Sequence, residues 1–170
     1  KSFEHIAAQI NSATVNITIG NNPKRFTGAY ITEYWLRILG VTPLLGRDST
    51  PEDNRAGAEK VALISHQLWQ RDFNGSQDVV GKAVRINGKS ATIVGVMPAG
   101  FSFPVNEQIW IPLYSEYPPQ ARNNPNAQGA APAVLGLIKR EVPFDQATAE
   151  LSTIAKQLSA AFPDTNKKFD

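Results

Sequence analysis

The sequence predicts an α+β fold, and three stretches carry that reading. Residues 14–19 alternate apolar Val15, Ile17 and Ile19 with polar Thr14, Asn16 and Thr18, the period of two of a half-buried strand. Residues 84–86 and 91–96 flank Asn87-Gly88, and both central positions of a type I′ hairpin turn need the positive φ that Asn and Gly tolerate. Phe144, Ala147, Leu151, Ile154, Leu158 and Phe162 recur at intervals of three and four, so residues 144–162 form the longest helix, its apolar stripe expected to pack on a sheet.

The remaining elements follow in order. Residues 1–8 enter as an amphipathic fragment that contains His5. Gly20-Asn21-Asn22-Pro23 supplies turn residues, so residues 25–31 return as a second strand. Tyr34, Trp35, Ile38 and Leu39 lie on one side of a short helix closed by Gly40. Thr50-Pro51-Glu52-Asp53 reads as a helix start, with Thr50 as cap, Pro51 in the first turn and Gly57 keeping the helix short. Val61-Ala62-Leu63-Ile64 is a buried strand, after which Ser65 caps a helix with Leu68, Trp69 and Phe73 on one side. Residues 109–111 and 134–138 are further strands, and the Pro, Asn, Gln, Gly and Ala of residues 117–132 form a loop.

Composition narrows the function. A chain of 170 residues makes one domain with room for two small lobes, and 42% hydrophobic with 19% charged residues is enough to fold. The 17 basic residues are scattered among 15 acidic ones, with only Lys167 and Lys168 paired, which is not a nucleic-acid footprint. The absence of cysteine excludes disulfides, thiolate metal sites and a thiol nucleophile, and fits an oxidising compartment. No apolar run reaches the roughly 20 residues of a membrane span, and no signal peptide opens the chain. The ends read as cut, so membrane spans are expected in a parent polypeptide.

Candidate chemistry fails residue by residue. Gly75 and Gly81-Lys82 imitate a phosphate loop, but the spacing is one residue too long, Ala83 replaces the Ser or Thr, and a strand follows where a helix must open. His5 and His66 sit in no metal-ligand spacing. Ser65-His66 lacks a nucleophile elbow and points its side chains about 100° apart on a helix. Glu52, Asp53 and Glu59 are a solvated helix start. No catalytic residue, metal or cofactor is expected. Phe101, Phe103 and Trp110 are read as core, whereas Tyr114 and Tyr117, beside the polar loop, are the candidate partner contacts.

Ordered blocks then point to a family. Leu39-Gly40-Val41-Thr42-Pro43-Leu44-Leu45-Gly46-Arg47, Thr50-Pro51-Glu52-Asp53, Leu68-Trp69-Gln70-Arg71-Asp72-Phe73, Val80-Gly81-Lys82, Ile86-Asn87-Gly88, Thr92-Ile93-Val94-Gly95-Val96-Met97-Pro98 and Ile109-Trp110-Ile111-Pro112-Leu113 follow one another over nearly the whole chain. Together they resemble the MacB-like periplasmic core domain of ABC-type permeases of the MacB/FtsX-like kind. The resemblance implies two lobes: a porter-like βα lobe from residues 1–32 with 131–170, and an inserted, mostly β lobe from residues 33–130. It implies an extracytoplasmic domain of a bacterial efflux or export permease of the inner membrane, facing the periplasm or cell exterior, which transmits motion from the transmembrane helices to substrate or partner proteins. The implied partners are those helices, an ABC ATPase domain or subunit, a second or paralogous permease copy and a periplasmic adaptor; nucleic acid is not among them. Glu141-Val142-Pro143 departs from the Gly-Val-Thr start common among relatives, because Pro143 offers no side-chain oxygen as a cap. A free-standing ligand- or peptide-binding module, suggested by the aromatic, Pro-rich residues 101–117, is the competing reading.

Overall fold

The strand β1 (Phe3–Ile19) is the axis of the molecule, because it hydrogen-bonds to three other strands. The chain is described by a computed structural model over residues 1–118 and 132–166. After β1 come β2 (Asn22–Ile31), α1 (Trp35–Ile38), β3 (Leu45–Gly46), β4 (Val61–Ile64), α2 (His66–Phe73), a 3₁₀ turn (Gln77–Val79), β5 (Ala83–Ile86), β6 (Lys89–Val96), β7 (Ile109–Pro112) and α3 (Leu113–Glu116). The strand β8 (Ala133–Ile138), α4 (Phe144–Ala161) and α5 (Pro163–Asn166) complete it. The α+β expectation is met by one mixed sheet with helices.

Pairing closes most of that sheet into a ring. β1 runs antiparallel to β2, β2 parallel to β7, β7 antiparallel to β4, β4 parallel to β6, and β6 antiparallel to β5. The ring is shut where Ile17 and Thr18 of β1 meet Ile86 and Arg85 of β5. Asn87 secures this seam. Its φ of 50° and the 81° of Gly88 make the tight turn the sequence predicts, and its amide and side-chain oxygen bond Asn16 O and N at 2.8 and 3.0 Å. β8 stands outside the ring, antiparallel to residues 3–9 of β1, with no strand on its other edge among the described residues.

Residue alternation explains what each face of the ring buries. Val15, Ile17, Phe26, Tyr30, Ala62, Ile64, Ile93, Ile109 and Ile111 point into one cluster, which Leu68, Trp69 and Phe73 of α2 also enter. Ala29, Ile31, Val61, Leu63 and Trp110 point outward into a second, sealed by Trp35 and Leu36 of α1. Trp35 and Trp110 are both fully buried, and each keeps its indole N–H satisfied: Trp35 on Gln9 Oε1 at 2.6 Å, Trp110 on the Phe103 carbonyl at 3.0 Å. Phe101 packs there too, while Phe103 stacks on Trp35 but remains part-exposed.

β1 changes phase midway. Between Ile10, opposite Tyr30, and Ala13, opposite Gly28, β1 carries one residue more than β2, a β-bulge with Ser12 at φ 55°. Ala8 and Ile10 before the bulge and Ala13, Val15 and Ile17 after it all contact the inner cluster, so even-numbered positions face inward on one side and odd-numbered positions on the other. Without the extra residue one half of the strand would present its apolar side to the wrong face. Holding Ser12 in the left-handed region costs on the order of 1 kcal/mol.

Four sequence expectations change. Residues 3–8, read as a fragment, are the first half of β1 and carry His5 within the sheet. Tyr34 does not join the helical stripe; it is left-handed at φ 66° and stacks on His5 at 4.7 Å. Thr50-Pro51-Glu52-Asp53 builds a reciprocal cap, Thr50 N–H to Asp53 Oδ2 at 2.7 Å and Asp53 N–H to Thr50 Oγ1 at 3.4 Å, yet the chain continues as turns and forms no helix. Asp53 is claimed instead by Arg47, at 2.6 and 3.2 Å, so the motif clamps a loop. Finally, the stripe of α4 does not pack on the sheet: Ala147 is buried, but Phe144 is 73% exposed and Leu151 and Ile154 are open as well. The polar loop of residues 117–132 lies, for residues 119–131, outside the described residues.

Two predictions follow from this packing. A Cβ on Gly28 would meet Val15 Cγ2 at 2.7 Å and the Ile109 carbonyl oxygen at 2.8 Å, both from the ring's own strands. Gly28→Ala therefore lowers the urea midpoint by the equivalent of about 1–3 kcal/mol with an unchanged slope. Asp72 of α2, nearly buried, accepts from Arg71 Nη2 at 2.6 Å and pairs with Lys24 of β2. Burial works against its charge, but Arg71 and Lys24 win and hold the carboxyl below the ordinary carboxylate range. A depressed folded-state value means stability that is present above the unfolded value and lost as pH falls through the folded one. Urea melts of the wild type should weaken below about pH 4, and Asp72→Asn should be less stable at neutral pH with a flatter acid limb.

Candidate interaction surface

The two tyrosines singled out in the sequence sit on and beside the single turn of α3, which continues directly from β7. Tyr114 is half-buried against the inner cluster. Tyr117 is 44% exposed and meets Tyr30 edge-on, with centroids 4.9 Å apart. Burial, and then Tyr117, raise the Tyr30 phenol above its usual value, so this end of the ring stays neutral in that side chain at physiological pH. Lys60 at the entrance to β4 pairs with Glu116 of α3 and fixes the turn that presents Tyr117.

A second surface was not singled out by the sequence. On the ribbon of β1 and β8, Ile6 lies opposite Gly136 and Ala8 opposite Val134, so Ile6 and Val134 share a face, and both are exposed. The ring of Phe3 occupies the space over Gly136, where a Cβ would come within 2.7 Å of it. α4 is fastened next to this ribbon where the Ser2 amide donates to Glu150 Oε2 at 2.7 Å, and the Ser2 carbonyl accepts from Lys139 N, just beyond β8, at 3.0 Å. As the sequence implies, Pro143 provides no side-chain cap; its carbonyl accepts from the Gln146 and Ala147 amides at 3.1 and 3.2 Å. The apolar periodicity of residues 144–162 was the available signal, but period reports that a face exists and not whether the chain covers it.

The polar groups weighed for chemistry are placed apart. His5 packs on Tyr34, with Nε2 3.7 Å from Glu4 Oε1, whereas His66 opens α2 and meets Trp69 edge-on at 5.3 Å. Among the described residues no three His, Asp or Glu side chains converge as a metal site. Ser65 Oγ is used as the cap of α2, accepting from the Leu68 amide at 3.1 Å. A cavity of ≈190 Å³ lies beside it, lined by His66, Gln67, Ser102, Asn106, Glu107 and Gln108. A shallower groove of ≈400 Å³ runs past Arg37, Thr42, Pro43 and Arg47.

The same architecture occurs in known proteins. The periplasmic region of MacB from Actinobacillus actinomycetemcomitans superposes with a TM-score of 0.67 at 14% identity, over 97% of this chain and 70% of that one. The extracellular domain of the noncanonic ABC-type transporter YknZ from Gram-positive bacteria gives 0.66 at 14% identity, over 94% and 76%. A domain of a putative permease from Porphyromonas gingivalis gives 0.66 at 20% identity, over 92% and 71%. At such identities the likeness speaks for the fold alone. No curated protein matches in sequence. The profile of the MacB-like periplasmic core domain matches residues 1–154, most of the chain, and the chain therefore belongs to the MacB-like periplasmic core domain family.

Proposed function

We propose that this domain is the extracytoplasmic part of a bacterial ABC-type permease of the inner membrane, and that it carries motion from transmembrane helices to a substrate or partner protein without bond chemistry of its own. One observation supports this above the others: Ser2, at the entrance to β1, bonds both to Lys139 at the end of β8 and to Glu150 of α4, while β1 alone continues into the ring. Displacement applied at either end is delivered to one place and passed along one strand. A strand of 17 residues spans about 55 Å, enough to cross the molecule.

In this reading the lobe formed by residues 1–32 with 131–170 receives the motion and the insert of residues 33–130 delivers it, with β1 and β2 shared by the ring. Tyr117, held by Tyr30 on one side and open on the other, is the contact offered at the delivering end, to a periplasmic adaptor, a second permease copy or the substrate. The ATPase domain or subunit acts from the far side of the membrane.

The test uses the absence of native cysteine in this domain. In the parent permease, otherwise free of cysteine and reconstituted in lipid, a fluorophore on Lys89→Cys at the β5–β6 turn is read by energy transfer to acceptor lipids. Its height above the bilayer is expected to change between nucleotide-free and ATP-trapped states; a height that stays constant through the cycle sinks the proposal.

A further inference from the structure

We propose that Glu107 is a latch on the β1 bulge: a positioning residue whose buried carboxylate fixes the junction between the ring and the β8–α4 extension. Glu107 is 0% exposed, and among the described residues it has no ion-pair partner. Its two oxygens are held by backbone instead: Oε1 accepts from the Ser12 amide at 3.0 Å, and Oε2 accepts from the Val105 amide at 2.6 Å. A carboxylate taken out of water without a cation is retained only where such donors offset its desolvation, and an apolar replacement would strand both amides.

The bulge is what releases the Ser12 amide from the ladder, and Glu107 is what receives it. The partner comes from 95 residues away, so the bulge is specified by tertiary structure and not by its own Asn11-Ser12, neither of which is the glycine that a left-handed position favours. The segment that carries Glu107 is itself closed on its own loop and anchored to two elements. Its own amide donates to the Ser102 carbonyl at 2.9 Å, the Gln108 amide to Thr27 of β2 at 2.8 Å, and the Gln108 carbonyl accepts from Ser65 at the head of α2 at 2.8 Å. Residues 3–9 of β1 carry β8, and residues 13–19 belong to the ring, so the latch sits where one half of the strand hands over to the other. Its use in passing motion rests on the function proposed above; its existence does not.

Amide hydrogen exchange on this domain tests the latch directly. In Glu107→Gln, which keeps the size but puts an NH2 donor in place of one of the two acceptor oxygens and so leaves the Ser12 or the Val105 amide without its partner, that amide and the amides of residues 3–10 and of β8 should exchange at least ~10-fold faster, while ring amides such as Ile64, Ile93 and Ile109 change by less than ~2-fold. Unchanged exchange at both Ser12 and Val105, or equal acceleration across the ring, overturns the proposal. Ser12→Gly makes the left-handed conformation intrinsically accessible, so in that background the Glu107→Gln effect on residues 3–10 should shrink to under ~3-fold. Effects that simply multiply show that the two residues are not coupled and also overturn it. Should Glu107→Gln fail to fold, Glu107→Asp, which withdraws the carboxylate by one methylene, carries the same readings. Because exchange is measured without transport, failure here leaves the transmission proposal standing, and constant domain height in the permease leaves the latch standing.

Discussion

One constraint runs through the structure: β1 must show its apolar side chains to the same interior along its whole length while serving two different sets of neighbours. Residues 3–9 are covered by β8 on one edge and residues 17–18 by β5 on that same edge, while β2 lines the other edge from Gln9 to Ile19. In a strand without irregularity the apolar positions of one half would face outward; the extra residue of the bulge at Asn11-Ser12 shifts the alternation by one, so that Ile10 and Ala13 both reach the inner cluster. The closing contacts at Ile17 and Thr18 depend on that adjustment, and so does the seat of Gln9 beneath the Trp35 indole.

Closure has a consequence for how the molecule meets its surroundings. A ring of six strands leaves no edge of its own for a foreign strand, so the open edges among the described residues include those of the two-residue β3 and, much longer, of β8. The exposed Ile6 and Val134 lie on the ribbon of β1 and β8, and α4, with its bare Phe144, Leu151 and Ile154, is bonded beside it through Ser2 and Glu150. The opposite arrangement holds around Tyr117, where a single aromatic is propped by Tyr30 and flanked by the Lys60–Glu116 pair.

Much of this was legible in residue order, for reasons that are local. Asn87-Gly88 can satisfy two positive φ angles in succession, and the turn forms there; Ser65 can accept an amide three residues on, and α2 starts there. The apolar runs of β4 and β7 are buried on both faces, as continuous runs should be. Misreadings arose where a local motif was correct but not decisive. Thr50 and Asp53 make the reciprocal cap that their spacing implies, yet Gly57 and the pull of Arg47 on Asp53 leave turns instead of a helix. Tyr34 has the spacing of a stripe residue and is diverted by stacking on His5. Glu107 escaped notice because a lone acid between Asn106 and Gln108 resembles any solvated loop.

By itself the sequence determined the α+β class, the order of most strands and helices, the tight turn that seals the ring and the family to which the domain belongs, since each of these rests on periodicity, turn chemistry or blocks of neighbouring residues. Only the tertiary structure decided that the strands close on themselves, that β1 changes phase at Ser12, that Glu107 meets that residue across 95 positions, and that the stripe of α4 stays uncovered. Periodicity states which side chains share a face. What lies against that face is set by pairings between distant segments, and no local pattern encodes them.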